Sequence, residues 1–181
     1  MKKNIFKIFK FLSKFFYKKK YIEEYKLNEF YNIFKIGFIQ RIIGFNRYVA
    51  WPVHWSTTVL ASENIIPGNR SPGGAMYCHI DGRNGILFGK NVRIGPHVMI
   101  VSMNHNLYDY SKYLSSRPIT IGDNCWIGAG AIILPGVNLG HHTVVSAGSI
   151  VNKSFEGNNQ VIGGNPAKFI QKLPEYLLNH E

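Results

Sequence analysis

Moving a proton near neutral pH is work suited to an imidazole, whose unperturbed pKa lies close to that range. This 181-residue chain has seven histidines. His105 is set apart by its position: it follows Asn104 at the head of a segment, Asn104 to Pro118 (NHNLYDYSKYLSSRP), that interrupts an otherwise regular sequence pattern. The segment is rich in tyrosine (Tyr108, Tyr110, Tyr113) and ends at Arg117-Pro118. A long excursion from a regular array is more often functional than accidental, so His105 is the candidate general base. The plainer alternative is a solvated loop histidine. His141 and His142 follow Gly140 and His97 occupies a comparable outward turn, so all three are expected to face solvent; His54 and His79 fall in a stretch without clear register. A zinc hydratase would need three imidazoles converging on an open coordination site, and His97, His105, His141 and His142 lack the expected spacing. Cys78 and Cys125 form no CxxC pair, which argues against a disulfide framework or a thiolate metal site.

The pattern that His105 interrupts has a period of six. Phe88, Ile94 and Ile100, then after the gap Ile121, Ile127, Ile133, Leu139, Val145 and Val151, are all bulky and apolar. The following residue is usually small (Gly89, Gly95, Gly122, Gly128, Gly140, Ser146). Four places after the bulky residues come Val92, Val98, Cys125, Ala131, Val137, Thr143 and Ser149. Neither an α-helix nor an ordinary strand has this repeat, whereas a hexapeptide parallel β-helix does. Three short strands, one per step of the repeat, make one triangular coil; the bulky residues stack inside, and small ones allow the tight corners. An antiparallel sandwich with coincidental spacing is the competing and weaker reading. Residues 49–87 (WPVHW, TTVL, PGNRSPGG, AMYCHI) read as irregular early coils, with TTVL and AMYCHI as possible short strands.

The blocks NH…RPITIGDNCWIGAGAIILPGVNLGHHTVVSAGSIVNK…VIGGNPAK resemble the hexapeptide-repeat acetyltransferases of the galactoside, maltose and nodulation type, and equally the xenobiotic and polysaccharide O-acetyltransferases. The resemblance covers roughly residues 84–172. It implies a mainly β fold: a left-handed parallel β-helix over 49–172 carrying the inserted loop 104–118, preceded by a helical segment 1–48 and followed by a tail 173–181. It further implies acetyl-CoA as co-substrate with no metal, His105 as the base that activates an acceptor hydroxyl, and a homotrimer in which one chain gives the loop histidine and its neighbour much of the coenzyme groove. Trp126, Ala129, Ala147, Asn152, Lys153 and Lys168 are then expected along the coenzyme A channel. Ala129 and Ala147 would be small enough for backbone contact with the pantetheine arm, and the lysines would serve as point charges for phosphates. Many relatives have Thr at the position of Asn152, a change that a backbone contact tolerates. The turn GAGA (128–131) is a candidate source of N–H donors for the tetrahedral intermediate. Tyr77, Asp81, Asn84 and Asn104 are expected on the acceptor side, with the first three one coil below the loop. Asp109 or a backbone carbonyl would orient the imidazole. The acceptor is expected to be a sugar hydroxyl of a cell-surface polysaccharide or its precursor. The alternatives are an antibiotic, a free sugar or serine as acceptor, a hydratase like the γ-class carbonic anhydrases, and a non-catalytic scaffold.

The formal charge is +11, but residues 1–20 carry eight lysines and no acid, and the remainder of the chain holds 13 bases against 10 acids. Basicity confined to a tail is not the pattern of a nucleic-acid groove. Ile5, Phe9, Leu12 and Phe16 recur on one helical face with Lys3, Lys7, Lys10 and Lys14 opposite. A basic amphipathic helix of this kind suits an anionic membrane surface, at about 1 kcal/mol per lysine near the headgroups; packing on the same protein or a partner is the alternative. Tyr25, Phe30, Phe34, Phe38, Ile42 and Ile43 suggest a second helix. The lysines break any signal-peptide core, so the expected location is the cytoplasm, at the inner face of the membrane if the helix binds it.

Overall fold

The computed structural model describes residues 2–22 and 30–177. The period of six becomes three parallel sheets that wall a prism. The first sheet stacks β1 (Thr58–Leu60), β3 (His79–Asp81), β6 (Met99–Val101), β11 (Ile132–Ile133) and β14 (Ile150–Val151). The second stacks β2 (Ile65–Ile66), β4 (Ile86–Phe88), β9 (Ile119–Ile121) and β12 (Asn138–Leu139). The third stacks β5 (Arg93–Ile94), β10 (Trp126–Ile127), β13 (Thr143–Val145) and β15 (Gln160–Gly164). It ends at β16 (Ala167–Lys172), which turns back antiparallel and closes the sheet edge.

The register explains why the repeat is clear in one half of the chain and faint in the other. Ile132 pairs with Ile150, a separation of three whole steps of the repeat. Thr58 pairs with His79 and His79 with Met99, and both separations exceed three steps, so the early coils carry extra corner residues that blur the period.

The predicted inward positions are buried: Ile100, Ile127, Ile133, Val145 and Val151 are fully inaccessible, and Phe88, Ile121 and Leu139 nearly so. Ile94 departs from the pattern and is only partly buried against the core. The four-places-on positions Val92, Val98, Cys125, Ala131, Val137, Thr143 and Ser149 are buried as well. Each bulky side chain removed from water contributes roughly 1.5–3 kcal/mol. The small residue after it lets successive coils touch: a Cβ added to Gly95 would lie 2.7 Å from the Ala129 amide nitrogen, and one on Gly128 would lie 2.6 Å from that of Ala147.

The corners carry their own ladder. Where the second sheet turns to the third, Asn91, Asn124, His142 and Asn159 all take a left-handed backbone, and Asn91 donates to the Asn124 side chain at 2.9 Å. His142 is thus a corner residue, but it is half-buried rather than solvent-facing: its Nδ1 meets the Asn159 side chain at 2.9 Å and its ring lies 4.9 Å from that of Tyr176. Tyr77, His97, Gly130 and Gly148 are the left-handed residues where the third sheet turns to the first.

Helices close the base of the prism. Helix α1 (Lys2–Ser13) packs on α2 (Phe30–Gly37), which runs on into a π-helical turn at Phe38–Ile43. The expected membrane face of α1 is therefore partly occupied, because the rings of Phe9 and Phe16 lie 5.6 Å from that of Phe34. Tyr25 lies outside the described residues. Gln40, fully buried, joins these helices to the first coil. Its side-chain amide donates to the carbonyls of Asn46, Val49 and Trp51, and its oxygen accepts from the Tyr17 hydroxyl and the Val53 amide. These bonds cross the division at residue 48, although the helices also keep a small apolar cluster of their own, Tyr17, Ile22, Phe30 and Ile33.

Candidate active site

The inserted loop leaves the prism where the first sheet turns to the second, between β6 and β9. It folds into a hairpin of β7 (Asn104–His105) and β8 (Tyr113–Leu114), with His105 opposite Tyr113. The hairpin holds an exposed His105 in one orientation. Its Nδ1 lies 2.6 Å from the Tyr110 carbonyl oxygen, which can only accept, so Nδ1 carries the proton and Nε2 presents its lone pair. Of the two orienting groups anticipated, the carbonyl is the one used. Asp109 instead accepts from the Ser111 amide and hydroxyl and pairs with Lys112 at 3.0 Å. These bonds hold its carboxyl below the ordinary range.

Behind the imidazole stands a chain of contacts to the coil below. The ring of His105 lies 4.6 Å from that of Tyr113, and the Arg83 guanidinium sits 4.7 Å over the Tyr113 ring. Arg83 bonds both carboxylate oxygens of Asp81, the closest approach being 2.6 Å. Asp81 is almost fully buried. Burial alone would raise its pKa, but the bonds and charge of Arg83 outweigh that and hold it below the usual carboxylate value. Sequence reasoning singled out Asp81 and not Arg83; the available signal was that Arg83 occupies the same corner as the loop, one coil lower.

Asn84 lies at that corner too, but its side chain clasps the loop. The amide group donates to the carbonyls of Ser102 and Leu114 and to the Ser116 hydroxyl. With those donors spent, only its oxygen is available to a ligand. Asn104 is exposed, adjacent to His105 and paired with Leu114. Tyr77 is not brought to this group. It lies at the opposite end of β3, where its ring stacks on His97 at 5.1 Å.

Four of the six expected donor-groove residues fall on two separate edges of the first sheet, and the other two, Trp126 and Lys168, lie on the third. Ala129 and Ala147 lie exposed, one above the other, at the corner where the third sheet turns to the first. Their coils are tied by the Gly148 amide donating to the Ala129 carbonyl. In the stretch 128–131 the amides of Gly128, Gly130 and Ala131 are all used within the chain, whereas those of Ala129 and Ala147 meet no acceptor among the described residues. Asn152 and Lys153 are exposed on the loop's own edge, after β14, with Lys153 over the Phe155 ring at 5.6 Å. Trp126 projects from the third sheet, 55% exposed, and Lys168 is exposed on the closing strand. One face of the prism thus separates the two free amides from His105, Asn152 and Lys153. Among the described residues His97, His105 and His142 occupy three different corners, and no group of three His, Cys, Asp or Glu side chains converges.

Two cavities lie away from this group, beneath α2. The larger, about 280 Å³, is lined by Ile33, Ile36, Arg70, Gly73, Arg93 and Ile94 among others.

Comparison with known proteins agrees with this geometry. Residues 118–153 match the family model described as the hexapeptide repeat of succinyl-transferase. The chain is 33% identical over 134 residues to the galactoside O-acetyltransferase of Escherichia coli K12, a match covering 72% of this chain and 63% of that protein. It is 32% identical over 117 residues to a provisionally named lipopolysaccharide biosynthesis O-acetyl transferase of the same organism, covering 58% and 57%. A solved galactoside acetyltransferase in complex with coenzyme A superposes with a TM-score of 0.52 at 28% identity, over 70% of this chain and 69% of that one. The chain spans about half the length of the first curated relatives it matches.

Proposed function

We propose that the chain is a hexapeptide-repeat acetyltransferase, and on that premise an acetyl-CoA-dependent O-acetyltransferase in which His105 is the catalytic base. The observation that carries the reading is the 2.6 Å contact of His105 Nδ1 with the Tyr110 carbonyl, an acceptor that calls for the proton on Nδ1 and leaves Nε2 to act as base. Nε2 takes the proton of an acceptor hydroxyl as its oxygen attacks the thioester carbonyl. The tetrahedral oxyanion collapses with loss of the coenzyme thiolate, and the imidazolium returns the proton to that sulfur. Base catalysis of this kind contributes about 10²–10⁴-fold, and holding both substrates in line supplies much of the rest.

The donor groove is completed by a second copy. The free amides of Ala129 and Ala147 suit carbonyl oxygens of an extended pantetheine arm, while Asn152 and Lys153 on the other edge suit its polar end; one chain cannot close its own two edges around one ligand. Apolar residues in register on the outer side of the first sheet, Met99, Ile132 and Ile150, favour packing of that face against another chain. A homotrimer satisfies both demands with one repeated interface.

The acceptor is a sugar hydroxyl of a surface polysaccharide or its precursor, a reading supported by the similarity to the lipopolysaccharide O-acetyl transferase. Asn104 and the remaining oxygen of Asn84 are the acceptor-side groups at the loop's corner, while Asp81, buried and bonded through both oxygens to Arg83, supports the loop from behind. The test is thiol release from acetyl-CoA across a panel of sugars, lipid-linked oligosaccharides and antibiotics. In His105→Ala, kcat is expected to fall at least about 10²-fold while coenzyme A binding by calorimetry stays unchanged. Wild-type turnover in that variant refutes the role of His105, and absence of coenzyme binding by the parent protein refutes the donor.

A further inference from the structure

Helix α1 leaves an apolar strip uncovered. Its inner side, through Phe9 and Phe16, is taken by α2. Ile5, Ile8, Phe11 and Phe15 nonetheless remain 45%, 57%, 61% and 73% exposed. At about 100° per residue Ile5, Ile8 and Phe11 span one side of the helix, roughly a quarter-turn away from Phe9, and Phe15 follows in the turn after Ser13, its ring 5.7 Å from that of Phe11. Large aromatic side chains held in water at this density mark a surface that meets something.

The surrounding charge identifies the occupant. Lys7 lies four residues before Phe11, where side chains of a helix are neighbours, and Lys14 follows in the next turn, its amide bonded to the Phe11 carbonyl. Lys10, Lys18 and Lys20 are exposed close by, and residues 2–22 contain no acid. A second copy laid on this strip would bring the same lysines against these, like charge against like. An acidic lipid surface supplies both an apolar layer for the rings and anions for the ammonium groups, whose flexible stems reach past the rings to the headgroups. At 12 residues, α1 is about 18 Å long, and no described helix is long and apolar enough to cross a membrane. It would therefore lie in the plane of the surface.

We infer that the Ile5–Ile8–Phe11–Phe15 strip is a docking surface for anionic phospholipid bilayers, bound by shallow insertion of the rings with Lys7 and Lys14 at headgroup level. This surface goes beyond the proposed catalytic function and does not depend on it. Both phenylalanines are exposed, so polar replacements leave the core untouched.

Flotation of the full chain with vesicles of equal parts phosphatidylglycerol and phosphatidylcholine tests the inference, beside vesicles of phosphatidylcholine alone. Wild type is expected to float with the acidic vesicles and not with the neutral ones. The bound fraction should fall about tenfold or more in Phe11→Gln/Phe15→Gln and in Lys7→Gln/Lys14→Gln, with unchanged thermal melts. The control Phe169→Gln/Ile170→Gln, which alters equally exposed apolar residues on the closing strand, is expected to float like wild type. Failure of wild type to float, or wild-type flotation of the Phe11/Phe15 variant, overturns the inference. So does a drop in particle mass of that variant by light scattering without lipid, which would give the strip to a second copy.

Discussion

At the scale of single residues, the site depends on how an exposed imidazole is kept in one pose. The Tyr110 carbonyl sets its tautomer, and the contacts Asp81–Arg83–Tyr113 set its backing. Asp81 supports this arrangement only while ionised. Its pKa is lower in the folded chain than the ordinary value near 4 that it regains on unfolding. The stabilisation is therefore full above that unfolded value and is lost as pH falls through the lower folded one. Asp81→Asn is expected to cost about 2 kcal/mol at neutral pH, less than the roughly 3–5 of a fully buried broken pair because the Arg83 side chain is one-third in solvent. Thermal melts of the two proteins should differ by a constant amount above about pH 5 and converge on acidification below about pH 4. A difference that persists undiminished in acid would mean that the ion pair is not what Asp81 contributes. His105 was legible because the loop broke a period. Arg83 and Tyr113 were not, since their importance comes from a corner that the fold builds out of residues far apart in sequence.

At the scale of elements, the corners decide how closely the coils stack. Gly128 sits where any Cβ would press on the Ala147 amide of the next coil, which is backbone and cannot swing aside. Gly128→Ala is expected to lower stability by about 1–3 kcal/mol, the cost typical of overpacking, with a measurable fall in Tm. It should also weaken coenzyme binding, since the Ala129 and Ala147 amides would part. Full stability and affinity in that variant would show that the coils are not in the contact described. The rhythm of six made this stacking readable from Phe88 onward, and nearly every predicted inward position is buried. The earlier coils were harder to read because their extra corner residues dilute the period. The helical segment was legible as amphipathic, but periodicity cannot say which neighbour an apolar face will meet. One side met α2, and a second side remained open.

At the scale of the whole molecule, the prism sets His105 and the free amides of Ala129 and Ala147 on opposite edges of one face, so a complete site is expected only where two copies meet. Sequence could suggest the residues of each edge but not that a sheet separates them. Subunit complementation examines this directly. His105→Ala and Ala147→Phe, the latter filling the groove edge, should each be nearly inactive in acetyl-CoA thiol release. After co-refolding in equal amounts, random assembly pairs an intact histidine with an intact groove at about a quarter of interfaces, so activity should recover to roughly a quarter of wild type. A mixture no more active than its separate components would contradict a site shared between chains.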